Sequence, residues 1–273
     1  MQVCGSSSRH RDTHQFSRPF PLMRLTSRLA SGLAVAAALV PAALAASPSS
    51  VAGTRTEVQI QLCTPFADIE RSLKLRAHGN PMDVWLFDDA ALSLFERGLR
   101  VRLRVEGKHA ELTVKIANQD CARVDARMVP PKQGKCEIDM HGGRTAGSVS
   151  LTRRLSHKEW TDVVAERVPP GDLLSPVQVA YLRDVARIWP LPARLRPLGP
   201  KSSRAYVPPN EPYEVDVSKL PTGEVYVEMS RKVPVADAQR TREALDGVLA
   251  RAGVAACTDQ AGQADNKLKL MLR

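Results

Sequence analysis

Hydrophobic and polar side chains alternate strictly along residues 99–105. One set of positions holds Leu99, Val101, Leu103 and Val105, and the other holds Arg100, Arg102 and Arg104. Successive side chains of a β-strand point to opposite faces of the sheet, so the three arginines share one face. A turn at 106–109 leads into a second alternating strand that adds Lys115 to this face. The pattern therefore predicts four cations on one side of a hairpin.

Two interpretations of this basic face are open. Polar side chains often point outward on antiparallel sheets that have one solvated side. Alternatively, the face binds an anion, because cations this close on a sheet repel one another unless negative charge lies between them. Polar faces recur on nearly every other predicted strand, for example at Glu57, Gln59 and Gln61, and this recurrence favours the anion site.

The rest of the chain shows the pattern of short strands with a few helices. Alternation predicts strands at 55–62, 84–87, 110–116, 136–140, 147–153, 203–207, 213–217 and 224–230. Helix start and stop signals predict helices at 65–77, after Ser156, from Ser175 to Ile188, and at 236–252. We expect an α+β fold with a dominant, closed antiparallel sheet and covering helices. If the polar faces point inward, the lumen has to be wide, wet and filled by a ligand.

The first 45 residues have the organisation of an export signal. Arg24 and Arg28 precede an apolar run at 33–44, and the run ends in an A-x-A sequence at 43–45. These features are typical of a secretory signal peptide, and an uncleaved membrane anchor is the alternative. The protein is expected to be secreted or to reside in the periplasm or cell envelope, without a membrane span after cleavage.

This signal sets the predicted organisation of the chain. The expected parts are a signal peptide with its upstream extension (1–45), a linker (46–54), one domain (55–257) and a tail (258–273). Translation starts at Met1 or Met23.

Four cysteines remain after the signal peptide, and in an oxidising compartment they predict two disulfides with three pairings open. Cys121 and Cys136 flank one short loop, which favours a local bridge between them and leaves Cys63 to pair with Cys257. Zinc is a poor alternative, since the chain has no CxxC spacing and no nearby histidine pair.

Charge narrows the class of partner. The net charge is +10, and removal of residues 1–45 takes away five arginines and one aspartate and leaves +6. A moderately basic chain suggests a polyanionic partner. Aromatic residues make up only 4% of the chain, which argues against base stacking and hence against nucleic acid as the partner. Nucleotide-binding loops of the P-loop and Rossmann types are absent from the sequence.

The central stretch resembles the CYTH superfamily, the triphosphate tunnel metalloenzymes. The matching segments are Leu86-Phe87-Asp88, Gly98-Leu99-Arg100-Val101-Arg102 and Leu112-Thr113-Val114-Lys115, and a weaker resemblance covers residues 57–253. It implies an eight-stranded antiparallel tunnel in which basic residues bind a triphosphate and carboxylates hold Mg²⁺ or Mn²⁺. The implied substrate-binding residues are Arg100, Arg102, Arg104, Lys115, Lys135 and Arg204. The implied metal ligands are Glu57, Glu137, Asp139 and Glu228, of which Glu57 and Glu228 would be catalytic.

The sequence departs from the family pattern on the acidic side. The first strand of the family carries E-x-E-x-K, whereas this chain has Gln59 in place of the second glutamate and Gln61 in place of the lysine. The last strand carries E-x-E, and here Ser230 replaces its second carboxylate. Hard divalent cations bind amide and hydroxyl oxygens more weakly than carboxylates, so a two-metal arrangement is not expected.

Three functions follow from these observations. The first is an exported tunnel protein that binds triphosphate or polyphosphate and hydrolyses it with a divalent metal. The second is a non-catalytic module of the cell envelope that binds such anions and has a degenerate metal site. The third is an interaction domain whose charges form surface ion pairs. The oligomeric state is open.

Overall fold

The computed structural model describes residues 55–141 and 144–257. The predicted signal peptide (1–45), linker (46–54) and tail (258–273) lie outside the described residues.

Nine strands within the described ranges form a closed barrel. They are β1 (Arg55–Leu62), β2 (Arg76–Asp88), β3 (Leu99–Glu106), β4 (His109–Ala117), β5 (Gly134–His141), β6 (Arg144–Leu155), β7 (Arg196–Val207), β8 (Glu214–Lys219) and β9 (Val225–Pro234). Around the barrel their order is β1-β5-β6-β4-β3-β2-β7-β8-β9, and β9 pairs with β1 to close it. The α+β barrel expected from the sequence is confirmed. It has nine strands rather than eight, and the β1–β5 pair is parallel.

The α-helices of the described region lie between strands in sequence, except the last, which follows β9. They are α1 (Phe66–Ser72), α2 (Ser93–Glu96), α3 (His157–Val164), α4 (Pro176–Ala180), which continues as a π-helical turn at Tyr181–Val185, and α5 (Ala238–Ala252). Ser156 and Ser175 start α3 and α4 with capping boxes, and Gly253 ends α5 in a left-handed conformation. No helix in this part of the chain is long and apolar enough to cross a membrane.

Helix α1 is shorter than the sequence predicts. It ends at Ser72, and residues 76–83 instead lengthen β2. The chain turns at Lys74, whose φ of 53° lies in the left-handed region. Strand β2 then pairs with β7 from Arg76 onward, so its backbone groups find partners in the sheet. The prediction failed because this partner strand is distant in sequence.

The two faces of the barrel wall differ in chemistry. Apolar residues of β3 and β4 are buried with residues of the covering helices, such as Leu94 and Leu182. Apolar residues of β1 and β9 pack in a second core with Ile69 of α1 and Leu245 of α5. Since the helices cover the outside, the alternating polar positions of these strands point into the lumen.

Two disulfides occur among the described residues, one local and one between distant parts of the chain. Cys121 bonds to Cys136, and Cys63 bonds to Cys257 across a sequence separation of 194 residues. These are the pairings that the sequence favoured. The second one fixes the end of β1 to the segment that follows α5.

Candidate functional site

Strands β3 and β4 form the basic side of the lumen. In their antiparallel register Arg100 lies opposite Lys115, and Arg102 and Arg104 follow along β3 at alternate positions. All four side chains are partly buried, whereas the residues between them on β3 are buried in the outer core. The structure therefore brings these predicted residues together on the inner face.

Arg100 lies at the beginning of β3, close to α2. Its guanidinium carbon is 4.2 Å from the centre of the Phe95 ring, and its Nη1 donates to the Phe95 carbonyl oxygen at 3.2 Å. The buried carboxylate of Asp88 accepts hydrogen bonds from the backbone N–H groups of Leu94 and Phe95 and so fixes α2. Phe95 thereby holds the Arg100 side chain by a cation–π contact. Phe95 is not among the site residues predicted from the sequence.

Arg104 lies further along the same strand, towards its C-terminal end. Its Nε atom is buried and has no hydrogen-bond partner. The side chain makes no hydrogen bond or ion pair within residues 55–141 and 144–257, although Glu111 lies opposite it on β4. Leaving a charged donor buried and unsatisfied costs about 1–3 kcal/mol or more. An anion in the lumen would remove this penalty.

Hydroxyl groups line the neighbouring strands. Thr113 of β4 and Thr152 of β6 face each other in register, and their side-chain oxygens are hydrogen-bonded at 3.0 Å. Ser148 and Ser150 of β6 are buried, and the Oγ atom of Ser148 has no hydrogen-bond partner. These small polar groups leave space between the longer cations and can donate to phosphate oxygens.

A further cation comes from β7, which β2 separates from β3 in the barrel. Lys201 of β7 is only 7% exposed, and its Nζ atom donates to Ser218 Oγ at 3.0 Å. The Nζ atom lies 3.9 Å from Asp216 Oδ1, and Ser218 Oγ in turn donates to that oxygen at 2.5 Å. Lys201 is absent from the residues predicted from the sequence, because the predicted strand begins at residue 203 and β7 begins at Arg196. The alternation with the buried Ser203, continued two residues back, is the signal that could have found it.

Strand β9 contributes a buried phenol and a buried carboxylate. Tyr226 donates from its hydroxyl to Glu228 Oε2 at 3.4 Å, and both side chains are buried. Burial, followed by the negative charge of Glu228, raises the pKa of Tyr226 well above its ordinary value. The phenol is therefore protonated at neutral pH and acts as a donor within the lumen.

Two predicted phosphate ligands are exposed and lie on different faces of the wall. Arg204 is exposed, and Tyr206, two residues further on the same face of β7, packs against Phe66 of α1 at 4.7 Å between ring centres. Arg204 therefore lies on the outer face. Lys135 lies opposite Ser150, which in turn lies opposite Lys115, so it is on the inner face. It is exposed at the start of β5 and forms an ion pair with Glu137 at 2.8 Å.

Among the side chains that the structure describes, the predicted metal ligands are not assembled into one cluster. Glu57 pairs in register with Lys232, whereas Glu228 pairs with Gln61. Four residues of strand therefore separate the two acids, or about 14 Å at 3.4 Å per residue. In backbone register Asp139 lies beside Glu57, but its side chain is outside the described part of the structure. No group of three histidine, cysteine, aspartate or glutamate side chains that could hold a metal ion occurs among the described residues.

A different pair of acids lies closer together. Asp216 of β8 is directly opposite Glu228 of β9, and Gln61 of β1 is on the other side of Glu228. Asp216, however, has the Lys201 ammonium nearby, and Glu228 accepts from Tyr226. Two carboxylates that already interact with internal donors do not fit a divalent ion held by the protein alone.

Known structures share this architecture, although no family model and no curated protein matches the sequence. An adenylyl cyclase candidate from Hippeastrum, described as having a dominant triphosphatase activity, superposes with a TM-score of 0.54. It is 16% identical, and the match covers 78% of this chain and 94% of that one. An adenylate cyclase candidate from Bacillus halodurans is 12% identical with a TM-score of 0.48, over 77% and 98% of the two chains. The chain has the CYTH-type tunnel fold.

Proposed function

We propose that this protein binds a triphosphate- or polyphosphate-type anion in the lumen of its barrel. The observation that carries the proposal is the row of Arg100, Arg102 and Arg104 on the inner face, with the Nε atom of Arg104 buried and unsatisfied. Guanidinium groups remain charged in buried places and donate two parallel hydrogen bonds to phosphate oxygens.

The shape of the basic row favours a linear anion. From Arg100 to Arg104 the strand rises about 14 Å at 3.4 Å per residue, which is longer than a single phosphate group needs. Lys115 and the buried Lys201 add positive charge on other strands. The triphosphatase activity described for the Hippeastrum protein agrees with this substrate class.

Binding without turnover is the function that the geometry supports best. Metal-assisted hydrolysis needs a divalent ion to neutralise the charge that develops on the transferred phosphoryl group. The acids expected to hold that ion are separated along β1 and β9. The third hypothesis, surface ion pairs, has less support because the helices cover the other face of these strands.

We further propose that the protein acts outside the cytoplasm. Two disulfides join cysteines within the described residues, and such bonds persist in oxidising compartments. Retention of both bonds in protein secreted from a host cell, together with loss of residues 1–45, would support export. Full-length protein with reduced cysteines would contradict it.

The test is calorimetric titration of the purified protein with inorganic triphosphate and, separately, with orthophosphate. We expect saturable binding of triphosphate and binding of orthophosphate that is at least tenfold weaker. A parallel assay measures phosphate release from triphosphate with Mg²⁺ or Mn²⁺. Saturable release would establish hydrolysis, and absence of triphosphate binding under every condition would refute the proposal.

A further inference from the structure

We propose that Lys201 takes the place of a divalent cation in the lumen, so that triphosphate binding is independent of metal. The inference rests on the proposed function and assigns a role to a residue outside the predicted set. It concerns the side of the lumen formed by β7, β8, β9 and β1.

The position of Lys201 is the first argument. Its ammonium is buried, donates to Ser218 and lies 3.9 Å from the carboxylate of Asp216. Asp216 also accepts from Ser218, so the three side chains form one connected group. Burial of a lysine is costly unless its charge is compensated, and here Asp216 supplies the compensating charge. The ammonium is thus held in a fixed place on the inner wall.

The surrounding residue types are the second argument. Gln61 lies opposite Glu228, and Gln59 lies opposite Ser230, so the inner positions nearest Glu228 on β1 and β9 hold neutral oxygens. These groups are poor ligands for Mg²⁺ but hydrogen-bond readily to water or to an ammonium. A lysine beside Asp216 also lowers the attraction of this carboxylate for a second cation.

An ammonium can supply part of the positive charge that a divalent ion would bring to a phosphate. It carries one positive charge and three donors, and it binds phosphate oxygens as a point charge without a preferred coordination geometry. It cannot polarise a bound water as a divalent ion does. A lumen with Lys201 at this place is therefore suited to hold a triphosphate and not to cleave it.

The experiment compares affinity for inorganic triphosphate in EDTA and in Mg²⁺, for wild-type protein and for Lys201→Met. We expect the wild-type dissociation constant in EDTA to be equal to or lower than that in Mg²⁺. Lys201→Met should bind at least tenfold more weakly in EDTA, and Mg²⁺ should recover part of the loss. Lys219→Met removes an exposed lysine from β8 and is the matched control.

The outcomes separate this inference from the proposed function. Wild-type binding that requires Mg²⁺ would overturn the role of Lys201 and leave triphosphate binding intact. Absence of binding in both buffers would refute the proposed function itself. Equal affinity of Lys201→Met and wild type in EDTA would also overturn the inference. Lys201→Arg keeps the charge, and near-wild-type binding by this variant would support the inference even if Lys201→Met does not fold.

Discussion

The two sides of the lumen differ in what each offers to a ligand. On β3 and β4 the inner positions hold arginines and a lysine at alternate positions. On β9 and β1 the inner positions nearest Glu228 hold neutral groups, as in the opposed pair of Ser230 and Gln59. The first side therefore carries the charged groups that the proposed phosphate binding requires, whereas the second has amides and a hydroxyl at positions where a divalent ion needs carboxylates.

This difference teaches that anion binding and metal binding are separable within one barrel. The two sides lie on different strands and depend on different side chains, so one side can change while the other is kept. Lys201 strengthens the contrast because it places positive charge beside Asp216, where the fold would otherwise present acids. The predictions below test the contrast in order of expected effect.

The largest effect is expected on the basic side. Replacing Arg102 and Lys115 together by alanine should weaken triphosphate binding by about 100-fold or more, because each charge-assisted hydrogen bond contributes about 1.5–3 kcal/mol. Calorimetric titration measures the change. The control is Arg204→Ala with Lys219→Ala, which removes the same charge from exposed positions. Equal losses in the two double variants would show that only net charge matters.

The second effect concerns the acidic side. Gln59→Glu with Ser230→Glu places two carboxylates opposite each other on β1 and β9. Repulsion should weaken triphosphate binding in EDTA by about tenfold, and added Mg²⁺ should restore it, since carboxylates are the ligands that Mg²⁺ prefers.

The measurement is again titration in EDTA and in Mg²⁺. Gln133→Glu with Ser72→Glu adds the same charge at exposed positions and should leave the affinity within about twofold, because exposed charges are screened by salt. If Mg²⁺ does not change the affinity of the lumen variant for triphosphate, two added acids are insufficient for a metal site.

A smaller effect separates the inner from the outer face of the wall. Arg104→Ala should weaken triphosphate binding by about three- to tenfold, because one partly buried charge near the ligand is lost. Arg204→Ala removes an arginine from an exposed position of β7 and should change affinity by less than about twofold. Equal effects of the two substitutions would contradict the assignment of faces.

The smallest effect concerns the helical cover and not the lumen. The backbone N–H and the hydroxyl of Ser156, with Arg153, hold the pKa of Glu159 below its ordinary value. A carboxyl with a lowered folded pKa stabilises the fold above its unfolded pKa of about 4.3, and this contribution is lost as the pH falls through the folded value. Glu159→Gln should therefore lower Tm by about 2–4 °C at pH 7 and flatten the fall of Tm below about pH 4.3.

Thermal unfolding across pH 3–8 checks this expectation, and triphosphate affinity at pH 7 should not change. Glu166→Gln alters an exposed acid in the segment after α3 and serves as the control. A pH profile of Glu159→Gln that matches wild type would mean that the capping box contributes no pH-dependent stability.

Local patterns predicted much of the architecture correctly. The alternation at 99–116 gave β3, β4 and the shared face of Arg100 and Lys115, because strand periodicity depends on neighbouring residues alone. The capping box at Ser156 likewise marked the start of α3. The disulfides followed from cysteine number and one short loop.

Other features could not be predicted because they depend on partners distant in sequence. The first half of β7 was not predicted as a strand, because the segment that precedes residue 203 is rich in proline. This half pairs with β2 and places Lys201 inside the barrel. The resemblance to the family implied a phosphate-binding role for Arg204, whereas the structure places Arg204 on the face where Tyr206 packs against α1. The short length of α1 has a similar cause, since pairing with β7 took the following residues into β2.

By itself the sequence determined which residues share a face, since side-chain alternation is a property of each strand. Only the tertiary structure decided which face is the inside. Closure of the barrel through the β1–β9 pair and cover by the helices put the apolar faces outward and the charged faces inward. It also separated Glu57 from Glu228 and set Asp216 beside Lys201, because register between strands is fixed by the packing of the whole sheet and not by any single segment.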